Sequence, residues 1–223
     1  MKGKIAEIFL SVQGEGLYVG QRQVFVRLAG CNLSCAYCDT PIRSWREYEP
    51  QALMGEIRCY GGRFSSVTFT GGEPLMQAAF LKEAMGLTRA AGFKNYLETN
   101  GTLPRELEEV IEFADIIAMD FKLPSSTGLT GYWRRHEEFL RIASAREVFV
   151  KAVITRATSI EDLRAALDVI DSVDAGIVLV LQPDSSEPFE GLERKIEQLR
   201  ASCLNRGLTA CVIPQMHKLV GVK

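Results

Sequence analysis

No stretch of this 223-residue chain is apolar for long enough to cross a membrane, and the N-terminal run at residues 5–12 is broken by Glu7. The same break removes the core that a signal peptide would need. An excess of charge of either sign is missing too. The formal net charge is −2, which leaves no electrostatic footprint for nucleic acid or for an anionic membrane. Low-complexity segments and linkers are absent, and the length suits one domain, residues 1–223, with a substantial core. These absences imply a cytoplasmic chain, and its 47% hydrophobic and 24% charged residues are ordinary for a globular domain. In that compartment the six cysteines are ligands or free thiols rather than disulfides.

One more absence is the informative one. The stretch Cys31-Asn32-Leu33-Ser34-Cys35-Ala36-Tyr37-Cys38 spaces three thiols as C-x3-C-x2-C, with no fourth cysteine or histidine close behind. A closed structural zinc site takes four protein ligands. Three thiolates hold three corners of a cubane iron–sulfur cluster and leave one iron free to chelate a small molecule. On the residues alone other readings stay open. They are half of a zinc site completed by Cys59, Cys203, Cys211 or His217, a redox cluster, or three ordinary thiols.

The rest of the chain alternates. Residues 4–10 and 23–28 read as a strand pair around the turn-rich Gln13-Gly14-Glu15-Gly16. Strands follow at 66–70, 93–98, 115–120, 148–154, 176–181 and 208–213. Helices are expected at 50–58, 74–91, 104–113, 132–143, 159–172 and 187–206, with Ser159 as an N-cap and Asp162 in a capping-box-like place. Such alternation implies an α/β fold with a parallel sheet and crossover connections. About six βα units are too few for a closed eight-fold barrel, so the expectation is an open, partial βα barrel with an N-terminal strand pair.

Chemistry in such sheets sits just past the carboxyl ends of the strands. Polar residues gather there: Thr70-Gly71-Gly72-Glu73-Pro74, Glu98-Thr99-Asn100-Gly101, Asp120-Phe121-Lys122, Lys151 and Gln182-Pro183. Paired glycines let a ligand approach the backbone closely, though they also make plain tight turns. His136, inside Arg134-Arg135-His136-Glu137-Glu138, reads as part of a solvated face, and Cys59, Cys203 and Cys211 read as packed or free thiols.

The three-cysteine pattern with Tyr37 before Cys38, followed by Gly71-Gly72-Glu73-Pro74, resembles the radical S-adenosylmethionine (SAM) superfamily. Residues 7–16 (EIFLSVQGEG), 25–33 (FVRLAGCNL), Cys38-Asp39-Thr40 and the ending 215–222 (QMHKLVGV) narrow the resemblance to the 7-carboxy-7-deazaguanine synthases. The resemblance implies a radical SAM lyase of 7-deazapurine (queuosine) biosynthesis. Its substrate would be 6-carboxy-5,6,7,8-tetrahydropterin, rearranged to 7-carboxy-7-deazaguanine with release of ammonia. A 5′-deoxyadenosyl radical would take hydrogen from C6 of the substrate, the ring would contract, and SAM would be regenerated.

The same resemblance implies roles residue by residue. A 4Fe-4S cluster falls to Cys31, Cys35 and Cys38, and Mg2+ to the hydroxyl of Thr40. SAM would meet Tyr37, Cys38 and Asp39, then Gly72 and Glu73, then Asp120, Phe121 and Lys122. The pterin would meet Val12, Gly14 and Thr70, pair its amide and amino edge with Gln13 and Glu15, and place its carboxylate on Arg27. His217 would be a second carboxylate partner. The terminal carboxylate of Lys223 would close the pocket, at a position where the family pattern has proline. Partners implied are a small-molecule pterin, an electron donor such as flavodoxin or ferredoxin, and a second copy in a homodimer, with no nucleic acid and no membrane. The short cysteine spacing departs from members that carry a long insertion there. A glycyl-radical activase would share the cysteine and Gly-Gly-Glu-Pro motifs without needing the Gln13, Glu15, Arg27 and Thr40 set. A non-catalytic iron–sulfur or zinc module is the reading from another class.

Overall fold

Alternating side chains decide what each strand gives to which side of the sheet. The structure, a computed structural model, describes residues 1–40, 42–61 and 64–222. Gly3–Val12 forms β1 and Arg22–Leu28 forms β2, paired antiparallel. Gly16, at φ 66°, supplies the left-handed residue that the connection between them needs. A short β3 (Arg46–Tyr48) pairs antiparallel to the outer edge of β1. Its three residues, two of them exposed and charged, carry no alternation by which the sequence would reveal a strand.

From β2 onward the sheet is parallel. The strands are β4 (Ser66–Gly71), β5 (Lys94–Thr99), β6 (Ile116–Asp120), β7 (Glu147–Ile154), β8 (Leu179–Pro183) and β9 (Ala210–Val212). The order across the sheet is 3-1-2-4-5-6-7-8-9. Six parallel strands thus follow the N-terminal pair, as the pattern predicts, in an open sheet whose edges are the short β3 and β9.

The helices are α1 (Pro50–Arg58), α2 (Ala78–Ala90), α3 (Pro104–Val110), α4 (Pro124–Thr127), α5 (Trp133–Ala143), α6 (Ile160–Val173), α7 (Glu193–Leu204) and α8 (Met216–Val220). Proline opens α1, α3 and α4, where its missing N–H costs nothing. Two expected helices begin late, because 3-10 turns at Pro74–Gln77 and Phe189–Gly191 precede α2 and α7. Ser159 caps α6 by accepting from the Asp162 N–H at 3.1 Å. The capping box is not completed, since the Asp162 carboxylate accepts instead from the Ser125 N–H at 2.6 Å. None of the described helices is long and apolar enough to cross a membrane.

Successive residues divide between two apolar layers. Leu97, Ile117, Val150 and Leu181 join the outer core with helical Leu81, Leu107, Leu140 and Leu167. Their neighbours Tyr96, Ile116, Phe149 and Val180 form a smaller inner cluster on the concave face. That cluster plugs the bottom of the half-barrel. On the same face the chain places Glu98 and Lys151 two residues beyond Tyr96 and Phe149, and Asp120 two beyond Ala118 of the same cluster, with Asp120 and Lys151 as register neighbours. The charged ring above an apolar plug is therefore a consequence of strand register.

His136 corrects the sequence reading. It is fully buried, with Phe139, Leu140 and Ala143 on the inner face of α5. The i, i+3, i+4, i+7 spacing was masked by the charged neighbours on either side. Cys203 is buried in the outer core, Cys211 packs on the inner cluster, and Cys59 is exposed.

Candidate active site at the strand ends

A cavity of about 460 Å³ opens at the carboxyl ends of the parallel strands. The cysteine loop leaves β2 and forms one wall of it. Cys31, Cys35 and Cys38 all line this cavity as free thiols, and Cys59, Cys203 and Cys211 do not. The Cys38 N–H bonds the Cys35 carbonyl at 3.1 Å, a turn that brings these two round to one side. Burial pushes the Cys31 and Cys35 thiols up, so holding these two as thiolates calls for a cation beside them. Among the described residues, no three His, Cys, Asp or Glu side chains are grouped tightly enough for a single metal ion. Three soft donors around one cavity, none supplemented by a fourth thiol, fit a larger iron–sulfur group with one open corner.

The Gly-Gly-Glu-Pro segment is shaped to that loop. Gly71 sits at φ 142°, and a Cβ on Gly72 would strike the Gly30 carbonyl and the Cys31 Cβ. The Glu73 N–H then donates to the Gly30 carbonyl at 2.8 Å. Glu73 itself is turned inward and fully buried. Its carboxylate accepts from the N–H groups of Leu75 (3.0 Å) and Asn100 (2.7 Å) and from the Thr99 hydroxyl (2.9 Å). Burial lifts its pKa to about 7, against the pull of those donors. Glu73 therefore stands behind the wall, and so does Phe121, whose ring stacks on His136 with centroids 4.6 Å apart.

A chain of charges runs along the cavity wall beside the thiols. Lys122 pairs with Asp120 at 2.9 Å and lies 5.3 Å from the Tyr37 ring centroid. Lys151 pairs with Glu15 and reaches Asp120 at 3.5 Å. Burial works against both ammonium charges. Asp120 outweighs it at Lys122, and Glu15 with Asp120 outweighs it at Lys151, holding both lysines well above their ordinary range. Burial also opposes the Glu15 charge, but Lys151 and the Gln215 amide (2.8 Å) bring its carboxyl down to about 2. The phenol of Tyr37 is pushed up by the same desolvation.

The remaining side chains take varied places. Val12, Gly14, Arg27, Thr70 and His217 line the cavity, as do Asp39 and Thr40. Arg27 Nε is held by Glu7 at 3.2 Å, and the Thr40 hydroxyl donates to Asp39 at 3.1 Å. His217 packs directly over Gly14, whose missing Cβ makes the room. Gln13 is largely occupied within the protein. Its Oε1 accepts from the Glu15 N–H at 3.0 Å, and its Nε2 donates to Glu98 at 2.9 Å. Lys223 lies outside the described residues.

Sequence reasoning gave Glu98 and Lys151 a place at the strand ends but no role, and it passed over Asp184 and Gln215 on the cavity wall. Phe9 and Phe25, stacked at 5.1 Å, also line it. Their signal is present in the chain, since they are cross-strand partners on β1 and β2.

The model of the Radical SAM superfamily matches residues 25–180. A 7-carboxy-7-deazaguanine synthase from Geobacter sulfurreducens is 36% identical to this chain, with 98% of this chain and 97% of the relative covered. Proteins of that name from Methanopyrus kandleri (97% and 92% covered) and Archaeoglobus fulgidus (100% of each) are also 36% identical. The crystal structure of QueE from Escherichia coli superimposes with a TM-score of 0.68 over 95% of this chain and 94% of that one, and at 23% identity this likeness bears on the fold. Superfamily membership brings a 4Fe-4S cluster and SAM, and the three thiols facing one cavity fit them. The chain belongs to the 7-carboxy-7-deazaguanine synthase family of the radical SAM superfamily.

Proposed function

We propose that this lyase of 7-deazapurine biosynthesis converts 6-carboxy-5,6,7,8-tetrahydropterin to 7-carboxy-7-deazaguanine with loss of ammonia. The observation that carries the reading is one cavity lined both by the three thiols and by Glu15, Lys151, Arg27 and His217. Cys31, Cys35 and Cys38 would hold the cluster, which with SAM supplies a 5′-deoxyadenosyl radical when bound.

The chain's own residues supply binding and orientation. Tyr37, Asp39, Gly72, Asp120 and Lys122 surround the space next to the thiols, where SAM belongs. Glu15, ionised across the working pH range, accepts from the amide and amino donors of a pterin edge. Gln13 holds Glu15 in place through the backbone more than it reads the substrate. Arg27, steered by Glu7, presents a planar fork suited to a carboxylate, with His217 as a second partner. The hydroxyl of Thr40 would be the one protein ligand of an Mg2+ that keeps the rest of its shell as water and substrate oxygen. The reductant we infer is a flavodoxin or ferredoxin, and an open sheet with exposed edges would suit a homodimer, which we place in the cytoplasm.

The test is an anaerobic assay of the reconstituted, reduced chain with SAM, Mg2+ and 6-carboxytetrahydropterin, following the deazapurine by mass. Product without net consumption of SAM is expected. Cleavage of SAM to 5′-deoxyadenosine with no deazapurine would keep the radical machinery and sink the substrate. Thr40→Ala should lower Mg2+-dependent turnover at least tenfold, and an unchanged rate would remove the Mg2+ assignment.

A further inference from the structure

The loop that carries the three cysteines has little regular structure to hold it. Among the described residues no helix or strand forms between Leu28 and Arg46. The Ala36 N–H reaches the Thr127 carbonyl at 2.9 Å, and a second anchor comes from a side chain, Asn32, immediately after Cys31. The Asn32 Oδ1 accepts from Asn100 Nδ2 at 2.9 Å, while its Nδ2 donates to the Thr102 Oγ1 at 2.9 Å. The Thr102 hydroxyl in turn donates to Asn100 Oδ1 at 2.6 Å, and the Thr102 N–H adds a second bond to that oxygen at 3.0 Å. Three side chains close a ring, and the direction of each bond fixes the orientation of both amides.

Asn100 is itself fixed from two sides. Its N–H donates to Glu73 at 2.7 Å, and its carbonyl faces His136 Nε2 at 3.1 Å. A carbonyl can only accept, so Nε2 carries the proton and Nδ1 is left as a buried lone pair with no partner among the described residues. Burial, which brings this imidazole down to about pKa 4, keeps it neutral. His136 is thus a fixed donor wedged between Phe121 and the Asn100 carbonyl, beneath the cavity floor.

We propose that Asn100 is a positioning residue that locks the cysteine loop to the Gly-Gly-Glu-Pro strand end through Asn32. Thr102 orients both amides, and His136 holds Asn100 from behind. The lock places Cys31 before anything is bound between the thiols, so the loop does not have to be ordered at the moment of loading. What the lock serves rests on the assignment of Cys31, Cys35 and Cys38 to a cluster; the lock itself does not.

Hydrogen exchange on the full chain, both iron-free and anaerobically reconstituted, tests it. Asn32→Ala breaks the ring from the exposed loop side and leaves the buried residues in place. Thr102→Val removes the hydroxyl that both amides use, and Thr102→Ser keeps it. The expected result is that Asn32→Ala and Thr102→Val raise amide exchange over residues 31–38 about tenfold in both preparations, without change in β4 to β7. Thr102→Ser should match the parent chain. In the reconstituted chain the first two variants should also alter the electron paramagnetic resonance change that SAM induces in the reduced cluster. Parent-like exchange over 31–38 in both variants would overturn the lock, and so would a rise spread over the whole sheet. A local rise in a chain that takes up no iron would support the lock and defeat the cluster assignment instead.

Discussion

Glu15 and Lys151 form an ion pair on the cavity wall, and their coupling has a measurable sign. Each is mostly buried, with 19% and 13% of its side chain exposed, so removing one leaves the other's charge poorly solvated. Lys151→Met alone should cost about 1–3 kcal/mol, less than a wholly buried pair because some water reaches the site. Adding Glu15→Gln should cost less than the sum of the two single changes, and urea denaturation of the four chains reads that coupling directly. The pH dependence follows from the lowered carboxyl. A group whose pKa falls from 4.5 to about 2 on folding stabilises the native state fully above 4.5, and the contribution is lost as pH falls through 2. Glu73 has the opposite sign. Raised to about 7, it weakens the fold progressively as pH climbs from 4.5 to 7. A Glu15→Gln chain should therefore lose less stability than its parent between pH 5 and pH 2.5, and an identical loss would show that Lys151 does not stabilise the ionised carboxylate.

At the scale of elements, glycine placement separates functional close approach from ordinary helix filler. Gly72 abuts the Gly30 carbonyl and Cys31, with backbone on the far side that cannot yield. Gly72→Ala should push the root of the cysteine loop off the end of β4 and lower the iron retained per chain severalfold after reconstitution, read by iron and sulfide analysis. Gly55 in α1 meets nothing within 4 Å, and Gly86 in α2 meets only the Phe113 ring at 3.7 Å. Alanine at either should raise stability by about 0.5–1 kcal/mol without touching iron content. The same scale shows what the sequence could and could not reveal. Strands such as Val67-Thr68-Phe69 and Ile116-Ile117 are readable because apolar runs covered on both faces leave few alternatives. β3 and α8 are not, since three and five mostly exposed residues are held by pairing or by neighbours and carry no pattern of their own. His136 was hidden by Arg134, Arg135, Glu137 and Glu138, which face outward while it faces in. The motif residues were readable as a set. Which of them present side chains to the cavity was not, because Glu73 and Phe121 turn inward only once Thr99, Asn100 and His136 have been folded beneath them.

Across the whole molecule, rigidity and chemistry are divided between the sheet and one loop. Nine strands are joined by register, and the outer core beneath the helices is continuous from Ile5 to Ala210. None of the described residues from Cys31 to Thr40 pairs with a strand. Ligands that bind the folded chain alone stabilise it by RT ln(1 + [L]/Kd), which is about 2.7 kcal/mol at a hundredfold excess over Kd. Loading the cluster should therefore raise the melting temperature, and SAM should raise it again. Removing the iron should do the reverse without dismantling the fold: far-UV circular dichroism stays as it was, while new proteolytic cuts concentrate between residues 33 and 40, past the Asn32 anchor that holds Cys31. That pattern follows from where the hydrogen bonds are. The sheet satisfies its own backbone, whereas the loop is held by scattered contacts: Glu73 on Gly30, the Asn32 ring, Ala36 on Thr127, Lys122 on Tyr37, Lys218 on Asp39, and whatever the three thiols hold. Loss of helical and strand signal on chelation would mean that the cluster is part of the folding nucleus, and the division between sheet and loop would have to be given up.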